Sequence, residues 1–148
     1  MSEEITSLHK YNTFKVRGKI SYVSDYKSII VHFVFVIKHD LRHKARLVAG
    51  GHLTDSSIDG TYSGVVSLHS LRICMLAAEL SQLHIMVGDI SSAYLEAYTQ
   101  EMVCFLTGPE FCPLEGHLLV IERAIYGLRT SGARWHDRFS DTLRDSRS

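Results

Sequence analysis

His84-Ile85-Met86-Val87-Gly88-Asp89-Ile90-Ser91-Ser92-Ala93-Tyr94-Leu95 is the stretch on which the reading of this chain turns. An apolar run, residues 84–87, reads as a strand that ends on one acid, Asp89. A carboxylate at the end of a buried strand is costly unless a cation or hydrogen bonds compensate it. Two readings stand side by side. Asp89 caps the following turn through Ser91 and Ser92, as Asp commonly does at helix starts. Alternatively it holds a cation, and Tyr94, five residues on, forms a wall beside it.

Upstream, Ser67 to Leu83 reads as a helix with Ser67 as its cap. Leu68, Leu71, Met75 and Ala78 form one apolar stripe, and Ile73, Leu76, Leu80 and Leu83 form another, so the helix is expected to be mostly buried. Arg72 lies between the stripes and needs an acid, a loop carbonyl or a route to solvent. His52 to Gly64 has the composition of a loop. Before it, Ile29 to Lys38 and His43 to Ala49 read as two strands joined by a short polar turn, with Gly50-Gly51 ending the second. The period of two puts Lys44, Arg46 and Val48 on one face. Ser2 to Lys10 suits a helix capped by Ser2, with Ile5 and Leu8 on one face. Tyr11 to Ser28 reads as irregular strand or loop.

Downstream, Ser91 to Glu96 reads as a single helical turn. Glu101 to Leu106 and His117 to Glu122 read as strands. Both prolines of the chain fall between them, which marks that connection as a loop. Ala124 to Arg129 then leads into a terminal helix, with Ser131 as its cap and Trp135, Phe139 and Leu143 at four-residue steps.

The 148 residues are 45% hydrophobic and 22% charged, which predicts a packed core and not disorder. Formal net charge is zero, so total charge predicts no nucleic-acid partner. Its distribution says more. Lys38, Arg42, Lys44 and Arg46 stand against Asp40 alone, which is either a solvated basic hairpin or a surface for phosphates. The arginine-rich terminal helix allows the same two readings. Three cysteines without CxxC spacing argue against a disulfide framework and fit a reduced, intracellular setting. The acidic N-terminus has no apolar signal core, and no run is long enough for a membrane span.

Four blocks in order carry a family resemblance. They are the basic hairpin around His43-Lys44-Ala45-Arg46-Leu47-Val48-Ala49-Gly50-Gly51, the helix containing Ser70-Leu71-Arg72, the stretch Asp89 to Leu95, and Ala124-Ile125-Tyr126-Gly127-Leu128-Arg129 through Trp135. Together they resemble the reverse transcriptase of copia-type long-terminal-repeat retrotransposons, over roughly Ser2 to Leu143. The resemblance implies an α+β fold: fingers over about residues 1–66, part of a palm over about 67–148, and a mixed or antiparallel sheet packed on helices. It implies that Asp89 is a catalytic, metal-binding aspartate for Mg2+. By the same resemblance Lys44, Arg46, Tyr94, Tyr126 and Gly127 bind the incoming dNTP, and Lys38, Arg42, Arg129 and Arg134 contact an RNA or DNA template–primer. The sequence departs from the family pattern in lacking a lysine before the fingertip glycine and in having Ser63-Gly64-Val65-Val66 where a proline is usual. Its largest departure is the lack of an aromatic-x-Asp-Asp hairpin, and the family's thumb, connection and RNase H regions are also expected to be missing. The expectation is therefore a fragment of an RNA-directed DNA polymerase that is inactive alone. The alternatives are a non-catalytic nucleic-acid-binding remnant and an unrelated globular domain in which Asp89 has a structural or other metal role.

Overall fold

Four short strands form the central sheet: β1 (Phe14–Val16), β2 (Lys27–Ser28), β5 (Val103–Leu106) and β6 (Leu118–Ile121), in the order β1-β6-β5-β2. β6 pairs antiparallel with both β1 and β5, and β2 pairs parallel with β5, so the sheet is mixed. A separate antiparallel hairpin joins β3 (Val31–Ile37) to β4 (His43–Ala49). Helices α1 (Ser2–Lys10), α2 (Leu68–Leu80) and α3 (Ser131–Asp145) complete the elements, seen here in a computed structural model that describes residues 2–19, 23–51 and 60–146. This is the expected α+β class.

The period of two sorts the sheet residues. Val103, Phe105, Leu119 and Ile121 face the main core with Leu8, Ile29, Leu47, Leu95 and Ile125. Cys104, Leu118 and Val120 face the other side, against Val23 and Tyr26. Burial pushes the Cys104 thiol above its usual range. The 107–116 connection does more than a loop. Its segment Pro109–Leu114 is 3-10 in character with a kink at Cys112, and it inserts Phe111 edge-on to Phe14 and tilted against Phe33 and Phe105, with ring centroids 5.6–6.3 Å apart.

Two glycines join the hairpin to the segment that follows β6. Gly127 has φ +90°, and a Cβ there would overlap the Ala49 carbonyl oxygen. A Cβ on Gly51 would overlap the Gly127 carbonyl oxygen. The approach lets the Ala49 N–H donate to the Tyr126 carbonyl at 2.7 Å and lets Val48 pair with Tyr126 in a parallel bridge. Arg129 Nε donates to the Gly51 carbonyl at 2.9 Å.

Helix α3 starts one residue earlier than expected. Thr130 is the N-cap residue, and its N–H and hydroxyl both donate to Glu101 Oε1, at 2.9 and 2.7 Å. Ser131 instead donates its hydroxyl to the Ile125 carbonyl at 2.6 Å. Ser2, expected to cap α1, is its first helical residue, and its side chain lies outside the described residues. Most of the predicted 52–64 loop also lies outside them.

Two expectations fail. Helix α2 forms with Ser67 as its cap, the Ser67 hydroxyl accepting from the Ser70 N–H, but none of its residues is buried. Residues 84–89 form no strand, and Met86 and Val87 are 94% and 95% exposed. The cause is the same in both. Apolar periodicity states what a segment buries when a partner is present. Neither described sheet includes residues 84–89, and no described element covers a face of α2.

Gly127→Ala is expected to cost about 2 kcal/mol or more, through left-handed backbone and overlap with Ala49. Amide exchange at Ala49 should accelerate ahead of that in β5 and β6. Glu101→Ala, which leaves two buried Thr130 donors unmatched, is expected to cost about 2–3 kcal/mol in urea unfolding. Glu101→Gln, which keeps the acceptor, should cost less.

Candidate functional site

The site grows from the free edge of β4. Residues along an antiparallel pair alternate in where their N–H groups point. The N–H groups of Leu47 and Ala49 point away from β3, toward Glu4 Oε1 at 3.3 Å and the Tyr126 carbonyl. A carboxylate from α1 and a backbone carbonyl thus cover an edge that would otherwise be open. On the strand faces, Ala45, Leu47 and Ala49 are buried, and Lys44, Arg46 and Val48 lie on the opposite face, as the period of two requires.

Tyr94 enters from the 3-10 turn Ala93–Glu96. Ser92, at φ +56°, turns the chain into it, and Leu95, 8% exposed, pins it to the core. Tyr94 packs edge-on against Tyr126, with centroids 5.1 Å apart and planes at 60°. The Arg46 guanidinium carbon lies 5.0 Å from the Tyr126 ring centroid. These side chains and Glu4, Lys44, Ser92 and Ile125 line a cavity of about 70 Å³. That is the scale of a small charged group and well below a drug-sized pocket. Arg46 Nε is buried and has no hydrogen-bond partner among the described residues. A buried donor without an acceptor is costly.

Four of the predicted nucleotide-binding residues, Lys44, Arg46, Tyr94 and Tyr126, therefore come together. Gly127 serves the backbone contact with Ala49. Lys38 and Arg42 line a different hollow with Glu3, Glu4, His43 and Lys44, of about 260 Å³. Arg42 is ion-paired to Asp40 at 2.6 Å, and its guanidinium holds the Asp40 carboxyl below the usual carboxylate range. Arg129 reaches back to Gly51, and Arg134 lies on α3 near Asp137 at 3.9 Å.

Asp89 is exposed and does not line the cavity. Ser92 holds the N-cap position of the turn that follows, without a side-chain capping bond, so Asp89 is not a helix cap either. A hard divalent cation takes several oxygen ligands. Among the described residues no group of three or more His, Cys, Asp or Glu is arranged to hold a metal ion. The donor set around Asp89 does not fit magnesium.

Sequence reasoning missed Glu4 and Ser92. Glu4 looks like an ordinary acid in the first turn of a helix. Its role depends on α1 lying along β4, which no local pattern encodes. Ser92 belonged to the quoted stretch, but only the backbone shows its left-handed turn.

Residues 11–148 match the family model described as reverse transcriptase (RNA-dependent DNA polymerase). The chain is similar to the transposon Ty1-BL Gag-Pol polyprotein of Saccharomyces cerevisiae, 34% identical over 113 residues, which cover 75% of this chain and 6% of that protein. It is 33% identical to the Ty1-DR4 Gag-Pol polyprotein of the same organism over 113 residues, 75% of this chain and 7% of the relative. The chain thus spans a small part of the length of these relatives. No solved structure matches it.

Tyr126→Ala should remove the surface shared by Arg46 and Tyr94 and lower stability by about 1–2 kcal/mol in thermal unfolding. Tyr126→Phe keeps the ring and should be close to neutral.

Proposed function

This chain belongs to the reverse transcriptase (RNA-dependent DNA polymerase) family, and we propose that it contributes the phosphate-gripping side of a nucleotide cleft and does not polymerise by itself. The observation that carries the proposal is the convergence of Lys44, Arg46, Tyr94 and Tyr126 on one small cavity. In this reading Lys44 and Arg46 take the phosphates of a dNTP. Arg46 is the stronger partner, because a guanidinium fork matches phosphate oxygens. Tyr94 stands at the sugar side, and Tyr126 supports Arg46 and borders the nucleotide. Residues 1–66 then act as fingers and 67–148 as part of a palm.

Nucleotidyl transfer of this family's kind needs a clustered carboxylate site. Asp89 stands apart from the cavity, so the proposal assigns binding to this chain and no chemical step. A purely nucleic-acid-binding role has less support. Arg42 shares its charge with Asp40, and Arg129 spends a donor on Gly51. Lys38, Arg129 and Arg134 are then accessory contacts to an RNA or DNA template–primer, inside the cell.

Titration with dTTP tests the proposal. Replacing Lys44 and Arg46 together with Ala should weaken binding by roughly tenfold or more and flatten its salt dependence. Asp89→Asn should leave binding unchanged. Primer extension on an RNA template should give no product, and template-directed DNA synthesis by the isolated chain would overturn the binding-only assignment.

A further inference from the structure

The cavity that holds Lys44 and Arg46 also holds a carboxylate, that of Glu4. Glu4 is fixed there from both ends. Its helix is anchored by Leu8, 2% exposed in the core, and its Oε1 accepts the Leu47 N–H from the strand that carries both cations. An ionised carboxylate offers only acceptor oxygens, so it has nothing to donate to a phosphate. Two cations and one carboxylate thus line a cavity of about 70 Å³, and the carboxylate offsets part of the positive charge there.

We infer that Glu4 is a specificity-determining residue of this cleft, one that opposes polyphosphates in proportion to their negative charge and so narrows the preference between a nucleoside triphosphate and a monophosphate. The inference rests on the phosphate reading of the cleft given above. With the cavity empty, Glu4 offsets the field of Lys44 and Arg46. With a ligand present, its repulsion grows with each ionised phosphate oxygen brought near, whereas its hydrogen bond to Leu47 is unchanged. Glu4 therefore acts on ligand charge and not on the architecture of the edge.

The test uses the intact chain, at low salt and with a chelator present, titrated in parallel with dTTP and dTMP. Glu4→Gln keeps the acceptor for Leu47 and removes only the charge. It should tighten dTTP by roughly fivefold and dTMP by less than about twofold, with the difference shrinking as salt is added. Glu3→Gln is the control for net charge. Glu3 is exposed, lines only the neighbouring hollow, and should leave the dTTP-to-dTMP ratio as it is. Equal effects of Glu4→Gln on both nucleotides, no effect on either, or the same ratio change from Glu3→Gln would each overturn the inference. Loss of dTTP binding on replacing Lys44 and Arg46, with Glu4→Gln silent, would remove the role of Glu4 and leave the phosphate reading standing. If Lys44 and Arg46 prove dispensable for dTTP binding, the phosphate reading itself falls and the role of Glu4 falls with it.

Discussion

Gly51 and Gly127 meet backbone to backbone, at a distance where either Cβ would overlap a carbonyl oxygen. The basic hairpin has its own ladder and much of its outer half is exposed, including Phe35 at 66% and Ile37 at 64%. What fixes its base is the Ala49–Tyr126 hydrogen bond and the Val48–Tyr126 bridge that the two glycines permit. That contact sets how far Arg46 lies from the Tyr126 ring. The geometry of the cavity therefore depends on a contact between main chains, and the residues that enable it have no side chain to offer a ligand.

The contact belongs to a longer device. Residues 122–130 collect bonds from four separate parts of the chain. The Glu122 N–H donates to Thr13, the Ala124 N–H donates to Ala97, the Tyr126 carbonyl accepts from Ala49, and Thr130 donates to Glu101. Ala124 and Ile125 are 0% and 1% exposed. One segment, anchored in the core by Ala124, Ile125 and Leu128 and bonded to unlike partners, thus sets the mutual positions of the hairpin, of the turn carrying Tyr94, and of the start of α3. Buried main-chain groups must find partners. Here that requirement produces convergence of the site residues.

What was legible in the sequence follows from this. The β3–β4 hairpin, its basic face, and strands β5 and β6 were readable because alternation and turn residues act locally. Lys44 and Arg46 fell on one face for the same reason. The core position of Phe111 was not readable, since a proline-flanked connection signals a turn and not which ring it buries. The cap at Thr130 was missed because its partner, Glu101, is distant in sequence. Glu4 was missed because an edge is covered by whichever group the tertiary fold brings there. Helix α2 was read correctly as a helix and wrongly as buried, since its apolar stripes are a local property and burial is not.

The opening stretch divides at Ser92. On its C-terminal side, Leu95 and Ala97 are buried, and the Ala97 carbonyl is tied to Ala124. On its N-terminal side, residues 84–90 have no ladder and are exposed. A left-handed residue at the junction, held by the Leu95 N–H donating to the Ser92 carbonyl at 2.9 Å, redirects the chain so that the turn does not rely on what precedes it. Tyr94 is thereby set against Tyr126 and Arg46 whether or not Asp89 is held. The acid and the aromatic, read together in sequence as a cation and its wall, are mechanically separate. The aromatic lines the cavity beside Tyr126, and the acid lies in an exposed segment outside both described sheets. The cavity lined by Arg46, Tyr94 and Tyr126 and the carboxylate of Asp89 are accordingly separate features of this chain.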